Sequence, residues 1–426
     1  MLIMKLNMKI KQIYAKNKDI VWNFGAFALY IGVQQIVIMP FISAFFSESE
    51  YSRIAVFLTV FNILVCIGGD EIGNTYLIRK KEYDSKNIKG DFILLFLTVL
   101  LFLLSAATFV NALVLHIGLK TFMQMLVVLI CGSIRYFFTA YLRGNQQFGL
   151  IFCANILYAV GALTGILLLR ASNNFLLPFL LGELPAAAFI LGVVIFNRSN
   201  NVSLRLSPEF GNTARSYLKL GLVSSLQQCV AYLDRLIVYP MLGAAAMSVY
   251  YSSTTVSKLS GLAINPVGGV LMARLSGREK DDRRDVTKKM LKYYPWLLIA
   301  IFAVNFIFIW LAAKLLYSQY YNDAVILFLP ICVAEAFGGV NFLMKPVLLR
   351  FFSTSMFVVV NLIYAAAFIA GILAFSSLWG LLGYALSIAL AKIIQSLCYV
   401  AVLTRSDKTD RKRRTYVSAF QTKHGS

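Results

Sequence analysis

Twelve apolar stretches divide this chain, and its basic residues crowd into alternate gaps between them. Of the 40 Lys and Arg residues, 32 lie in one set of gaps or at the two ends, four in the opposite gaps and four inside the apolar stretches. Because the cytoplasmic loops of membrane proteins carry an excess of Lys and Arg, this alternation is typical of a chain that crosses a membrane many times. An even number of crossings with basic ends predicts that both termini are cytoplasmic.

The composition supports the same class of protein. Hydrophobic residues make up 59% of the chain, charged residues 14%, and the mean hydropathy is +0.74. A helix needs about 20 apolar residues to cross the hydrocarbon core. We therefore predict an all-α polytopic membrane protein with spans at 21–45, 53–78, 92–115, 122–142, 149–169, 174–196, 217–240, 247–273, 293–316, 324–349, 354–375 and 378–403.

Other functional classes fit the sequence poorly. The net charge of +21 is spread over short cytoplasmic segments with no nucleic-acid-binding domain, so nucleic acid is not an expected partner. The six Cys are scattered without a CxxC or Cys/His pattern, so we expect no metal site, and no cofactor. With two His residues and short outer gaps, we expect no catalytic residues and no enzyme activity.

The two halves of the chain resemble each other at an offset of about 200 residues. The matches are Pro40 with Pro240, Tyr51-Ser52 with Tyr251-Ser252 and Gly68-Gly69 with Gly268-Gly269. After a small shift, Gln34-Gln35 also matches Gln227-Gln228. Asn155 and Asn361 match in that each lies shortly after a Leu-Arg pair. Six spans per half give both halves the same orientation, as in alternating-access transporters that hold the substrate between two lobes.

This repeat predicts the domain organisation. Residues 1–200 form an N-terminal six-helix lobe, 201–216 a cytoplasmic linker, 217–404 a C-terminal six-helix lobe and 405–426 a basic cytoplasmic tail.

Charged residues inside the spans are the first candidates for function. Each costs about 2.5–3.5 kcal/mol to insert, so it usually faces a cavity or a partner, and both alternatives stay open here. The cations are Lys258, Arg235, Arg135 and Lys392, and the acids are Asp70, Glu71, Glu183, Asp234 and Glu335. For Asp70 and Glu71 we favour ion pairs with the nearby cluster Arg79–Lys81.

Lys258 is the deepest of the cations. It lies about 11 residues into its span, or ~17 Å at 1.5 Å per residue, near the bilayer midplane. Thr254 and Asn265 share its helical stripe, and hydroxyl side chains surround it in sequence. Such a stripe favours a water-filled cavity over lipid.

Two segments resemble a known family. Residues 68–79 (GGDEIGNTYLIR) and residues 218–243 with the following VYYSS resemble polysaccharide flippases of the multidrug/oligosaccharidyl-lipid/polysaccharide exporter (MOP) superfamily. Length and span number resemble its O-antigen or exopolysaccharide (Wzx-type) flippases. The resemblance implies a V-shaped, two-lobed bundle that moves an undecaprenyl-diphosphate-linked sugar unit from the cytoplasmic to the periplasmic leaflet of the bacterial inner membrane.

The resemblance also suggests roles for the polar residues. Lys258, Arg235, Arg135 and Lys392 would bind the diphosphate, while Asp234, Glu183 and Glu335 are candidates for coupling to an ion. Gln34, Gln35, Gln227, Gln228 and Asn265 would hydrogen-bond the sugar, whereas most Tyr and Phe would face lipid. Besides this lipid-linked cargo and membrane lipids, the expected partners are a polysaccharide polymerase and a chain-length regulator, with the flippase itself a monomer.

A multidrug cation antiporter of the same superfamily is the main alternative. Such transporters often carry an acidic cation site in the first helix, and the first span here contains no acid.

Overall fold

The computed structural model describes residues 22, 24–79, 87–172, 174–196, 201–203, 205–257, 264, 271, 283–352 and 354–424; for 222–231 and 405–424 it describes the backbone only. In this part of the chain, nine helices are long and apolar enough to cross a membrane. The prediction of an all-α, multi-pass membrane protein is confirmed. The chain divides into two compact units, Met1–Met247 and Ser248–Ser426.

The first unit contains six complete helices and the start of a seventh. They are α1 (Phe24–Phe45), α2 (Glu48–Leu77), α3 (Gly90–Leu113), α4 (Leu119–Gly144), α5 (Phe148–Ser172), α6 (Leu177–Phe196) and the first part of α7 (Phe210–Ser257). Helical turns continue α2 to Arg79. Wide π turns interrupt α1, α2 and α3 at Val33–Ile38, Cys66–Asp70 and Asn111–Leu115.

Among its described residues, the second unit holds the end of α7 and three further helices, α8 (Arg283–Leu315), α9 (Tyr321–Phe351) and α10 (Thr354–His424). Two of these long helices are broken at a glycine with positive φ, Gly243 in α7 (+85°) and Gly380 in α10 (+54°). Glycine adopts this conformation without the clash that a Cβ would cause. The break at Gly243 falls in the predicted gap between spans 7 and 8, whereas that at Gly380 lies three residues beyond the gap predicted between spans 11 and 12.

Local sequence explains why two helices begin earlier than predicted. At the start of α2, Ser47 and Glu50 form a capping box, in which each side chain accepts a hydrogen bond from the other residue's backbone N–H. The basic stretch after Arg283 continues as the first turns of α8, ahead of the predicted start at 293. Part of span 8 lies outside the described residues, so the count of twelve spans stays a prediction.

A small polar clamp ties the segment before α7 to the segment before α3. The strands β1 (Asn87–Lys89) and β2 (Asn201–Ser203) pair in parallel. Asp91 is fully buried and accepts hydrogen bonds from the backbone N–H of Ser207, at 2.7 Å, and from its hydroxyl group. Nearby, Arg79 pairs with Glu209 at 3.4 Å. The sequence predicted a linker here but not its attachment to the first unit; the predicted lobe boundaries stay predictions.

Asp91→Ala should destabilise the protein by about 1–3 kcal/mol, because it leaves the Ser207 donors without their buried acceptor. Thermal unfolding in detergent would measure the loss. Asp323→Ala is the matched control, since Asp323 is also an acid in the first turn of a helix but is exposed. An equal effect of both substitutions would mean that the helix dipole, and not the clamp, accounts for the role of Asp91.

Candidate functional site

A buried ion pair joins α4 to α6 in the first unit. The Nε of Arg135 donates to Oε2 of Glu183 at 2.7 Å, and its Nη2 donates to Oε1 at 2.9 Å. Arg135 is 4% exposed and Glu183 1% exposed. Two parallel charge-assisted hydrogen bonds are the strongest geometry that these groups can form, and the carboxylate is neutralised on both oxygens.

Three tyrosine rings surround the guanidinium group of Arg135. Its Cζ lies 4.1 Å from the ring centre of Tyr30, 4.7 Å from that of Tyr136 and 5.5 Å from that of Tyr158. The Tyr30 hydroxyl also donates to Glu183 at 3.3 Å. Aromatic faces attract a cation by their quadrupole, most strongly where water is excluded. Four helices, α1, α4, α5 and α6, therefore converge on one charge.

Asn155 of α5 completes this first-unit box, which we define as Tyr30, Arg135, Tyr136, Asn155, Tyr158 and Glu183. Its Oδ1 accepts from Nη1 of Arg135 at 3.4 Å, and its Nδ2 donates to the carbonyl of Ala26 at 2.9 Å. The helix α5 can lie against α6 because Gly161 has no side chain; a methyl group there would overlap the carbonyl of Leu181. This close contact brings Asn155 and Tyr158 beside the ion pair.

A second polar cluster lies in the second unit, formed by Asn341, Asn361, Tyr364, Lys392 and Gln395. The ammonium group of Lys392 lies 4.6 Å from the ring centre of Tyr364. Three amides form a chain beside it, in which Asn341 donates to Gln395 at 3.0 Å and Gln395 donates to Asn361 at 3.1 Å. We call this group the second-unit cluster.

The two sites occupy matching places in the sequence. Residues 155–167 and 361–373 share Asn, Tyr-Ala and Gly-Ile-Leu at the same positions, 206 residues apart. The two tyrosines of this pattern, Tyr158 and Tyr364, each have a cation over the ring. The same offset matches Arg135 with Asn341. The pattern therefore builds a charged site in the first unit and an amide-rich site in the second.

Not all predicted site residues fall within the described part of the chain. Lys258 and Asn265 lie outside the described residues, as do the side chains of Gln227 and Gln228.

The structure does place the other predicted site residues. Gln34 and Gln35 are buried in the π turn of α1, where Gln35 donates to Gln34 at 3.2 Å. Asp234 and Arg235 are buried in α7, and Glu335 is half-buried in α9. Arg135 and Glu183, both predicted site residues, form an ion pair with each other.

The expectation for Asp70 was wrong. Its carboxylate accepts from Nη2 of Arg143 at 2.9 Å, and the described partner of Arg79 is Glu209. The reason is the close contact of α2 with α4: side chains at Gly69 and Gly73 would collide with Tyr136 and Ala140. This contact brings Asp70 to the end of α4 and not to the basic cluster that follows it in sequence.

The sequence also misplaced the tyrosines. Most were expected to face lipid, but many are fully buried, namely Tyr51, Tyr76, Tyr141, Tyr158, Tyr250, Tyr251, Tyr317 and Tyr384. The repeated Asn-x-x-Tyr pattern was the available signal for Tyr158 and Tyr364. For Tyr30, Asn341 and Gln395, we find no comparable signal.

Solved structures with this fold are transporters of the MOP superfamily. A multidrug resistance transporter of its MATE family, in an inward-facing conformation, aligns with a TM-score of 0.70 at 13% identity over 90% of this chain and 96% of its own. The lipid II flippase MurJ, in an inward closed conformation, aligns with a TM-score of 0.62 at 12% identity over 92% and 87%.

A MOP superfamily transporter from Pyrococcus furiosus, whose reversed pocket polarity suggests a different function, aligns with a TM-score of 0.64 at 14% identity over 92% and 96%. No model of a protein family and no curated protein matches this sequence. At this identity the likeness shows the fold alone: the chain has the MOP transporter fold, which confirms the predicted fold class.

Removing one member of the Arg135–Glu183 pair should destabilise the protein far more than removing both. Glu183→Leu leaves an unpaired buried charge and should destabilise the protein by about 3–5 kcal/mol, whereas Arg135→Met combined with Glu183→Leu should recover most of that loss. Thermal unfolding of the purified variants measures this.

Arg143→Met is the control for this comparison. The Arg143–Asp70 pair is about one third exposed (31% and 33%), so its loss should cost about 0–1 kcal/mol. Additive effects of the Arg135 and Glu183 substitutions would show that the two groups are not coupled.

Proposed function

We propose that this protein is a flippase that carries an undecaprenyl-diphosphate-linked O-antigen or exopolysaccharide repeat unit from the cytoplasmic to the periplasmic leaflet of the bacterial inner membrane. The fold supports a transporter, because it is shared with MATE transporters and with the lipid II flippase MurJ. Both termini would be cytoplasmic. The polysaccharide polymerase and the chain-length regulator would be its partners, with the flippase acting as a monomer.

The distribution of charge in the two sites supports the proposal of an anionic cargo. In the first unit, both oxygens of Glu183 are bound by Arg135, so this carboxylate is not available to a cationic drug. The second-unit cluster combines the ammonium group of Lys392 with three neutral amides. No acid occurs in α1, where a cation site would be expected. Cationic and neutral groups of this kind suit phosphate and sugar hydroxyls.

In the proposed mechanism, the cations bind the diphosphate, Arg through paired hydrogen bonds and Lys as a point charge. Lys258, Arg235, Arg135 and Lys392 remain the proposed phosphate ligands. Gln34, Gln35, Gln227, Gln228 and Asn265 remain the proposed sugar ligands. An inside-negative membrane potential favours the outward movement of an anionic head group by about 2.3 kcal/mol per charge per 100 mV.

Ion coupling by Asp234, Glu183 or Glu335 remains part of the proposal. For Glu183 the geometry adds a condition. Its carboxylate would have to take up a proton and release Arg135 before the guanidinium group could bind a phosphate, because the carboxylate accepts two of its hydrogen bonds.

A multidrug cation antiporter is the second candidate. MATE transporters align with TM-scores from 0.60 to 0.70, a range that includes the 0.62 of MurJ, so the fold suits both candidates. Such an antiporter would need a carboxylate facing its substrate and would tolerate the loss of buried cations.

Lys392→Met separates the two candidates. In a deletion strain that makes a defined surface glycan, the wild-type gene should restore the glycan, and the variant should restore about tenfold less or worse, since a hydrogen bond to a charged group contributes about 1.5–3 kcal/mol. Quantitative glycan blotting measures the amount.

Lys314→Met is the matched control, because Lys314 also lies over an aromatic ring, that of Trp310 at 5.3 Å, but at the exposed end of α8. Intact surface glycan in the deletion strain, together with increased sensitivity to cationic drugs, would reject the flippase and support the antiporter.

A further inference from the structure

Together with Gly338, which lies beside Lys392, the second-unit cluster occupies three helical segments, with two residues one turn apart in each. The pairs are Gly338 and Asn341 in α9, Asn361 and Tyr364 in the first part of α10, and Lys392 and Gln395 in its second part. Residues three apart lie on the same face of a helix. The cluster therefore has two layers, one made of the three amides and one in which Lys392 lies between Gly338 and Tyr364.

One atom of the amide layer lacks a hydrogen-bond partner. Asn341 is 5% exposed, and its Nδ2 donates to the carbonyl of Lys392 at 3.2 Å and to Gln395 at 3.0 Å. Its Oδ1 is buried and accepts no hydrogen bond. Leaving such an acceptor unsatisfied costs about 1–3 kcal/mol, so buried acceptors are normally satisfied by a donor. The Oδ1 atom therefore points to an O–H or N–H donor that binds at this place.

The cluster is closed on one side and partly open on the other. Asn341, Gln395 and Tyr364 are buried, whereas Lys392, Asn361 and Gly338 are only half-buried. At Gly338 an added Cβ would lie 3.8 Å from the side chain of Lys392, so the absence of a side chain there leaves space beside the lysine. A ligand can thus approach from the layer of Lys392 toward the amides.

The matching site in the first unit indicates what charge suits this arrangement. There, a cation over the tyrosine of the Asn-x-x-Tyr pattern holds a carboxylate, that of Glu183. In the second unit, Lys392 takes this place: it lies over the ring of Tyr364, as Gly182, which precedes Glu183, lies against the ring of Tyr158. Beside the tyrosine of the pattern, the first unit therefore carries an acid and the second a lysine, whose charge attracts an anion.

We propose that the second-unit cluster is a subsite for a hydroxyl-bearing anion, a glycosyl phosphate. Asn341 Oδ1 accepts a hydrogen bond from a sugar hydroxyl, and Lys392 interacts with the adjacent phosphate. The subsite rests on the proposed flippase function and deepens it, since it is the place where the first sugar of the cargo is distinguished from bare lipid diphosphate.

The test compares two probes on the purified full-length protein in nanodiscs, undecaprenyl diphosphate and undecaprenyl diphosphate carrying one hexose. The readout is the ratio of the two affinities. The wild type should prefer the glycosylated probe, and Asn341→Leu should reduce that preference about two- to tenfold while binding the bare probe unchanged. Lys392→Met should weaken the binding of both probes.

Two further variants keep the test decisive. Asn305→Leu is the control and should change neither affinity, because Asn305 is equally buried and its Oδ1 also lacks a partner, but its Nδ2 bonds only its own helix at Ile301. Asn341→Asp keeps an acceptor oxygen and should retain the preference for the sugar. Should Asn341→Leu not fold, Asn341→Ala takes its place.

The possible outcomes test the subsite and the proposed function separately. An unchanged preference in Asn341→Leu would overturn the subsite and leave Oδ1 as the acceptor of a structural water, and an equal weakening of both probes would also overturn it. Failure of the wild type to bind either probe would overturn the proposed function itself.

Discussion

The need to neutralise buried charge determines how the first unit is built. An ion in a medium of low dielectric constant is stable only when it is paired and its remaining hydrogen-bonding groups are satisfied. Arg135 meets this condition with groups from four helices, a carboxylate from α6, an amide from α5 and ring faces from α1, α4 and α5. Because each contact requires a particular helix register, the pair also specifies how these helices pack against one another.

The second unit uses the same helical scaffold with different polar chemistry. Where the Asn-x-x-Tyr pattern recurs, Asn341 stands in place of Arg135 and a chain of neutral amides replaces the ion pair. Neutral amides are less costly to bury, but their acceptors and donors still have to match. A repeated fold thus needs only a few side-chain changes to place an ion pair in one half and a chain of neutral amides in the other.

The sequence predicts a multi-pass helical membrane protein correctly because the thickness of the bilayer and the cost of charge are properties of the membrane. The helix break at Gly243 falls in a predicted gap for the same reason, and that at Gly380 lies three residues beyond one. The cost of inserting a charge identifies Arg135 and Glu183, each by itself, as candidates in the sequence. Their pairing depends on how two helices pack, because the two residues lie 48 positions apart in the chain. Likewise, the contact of Asp91 with Ser207 joins segments 116 residues apart, and no local sequence pattern predicts it.

The fold alone does not decide the cargo, since it is shared by transporters of drugs and by a flippase of lipid II. Cargoes of opposite charge would be distinguished by the few charged side chains buried in each half. A carboxylate bound by an internal arginine offers little to a cation, because the arginine would have to be displaced and left unpaired in the membrane. The partner of each buried charge, more than the number of charges, therefore determines which cargo this scaffold accepts.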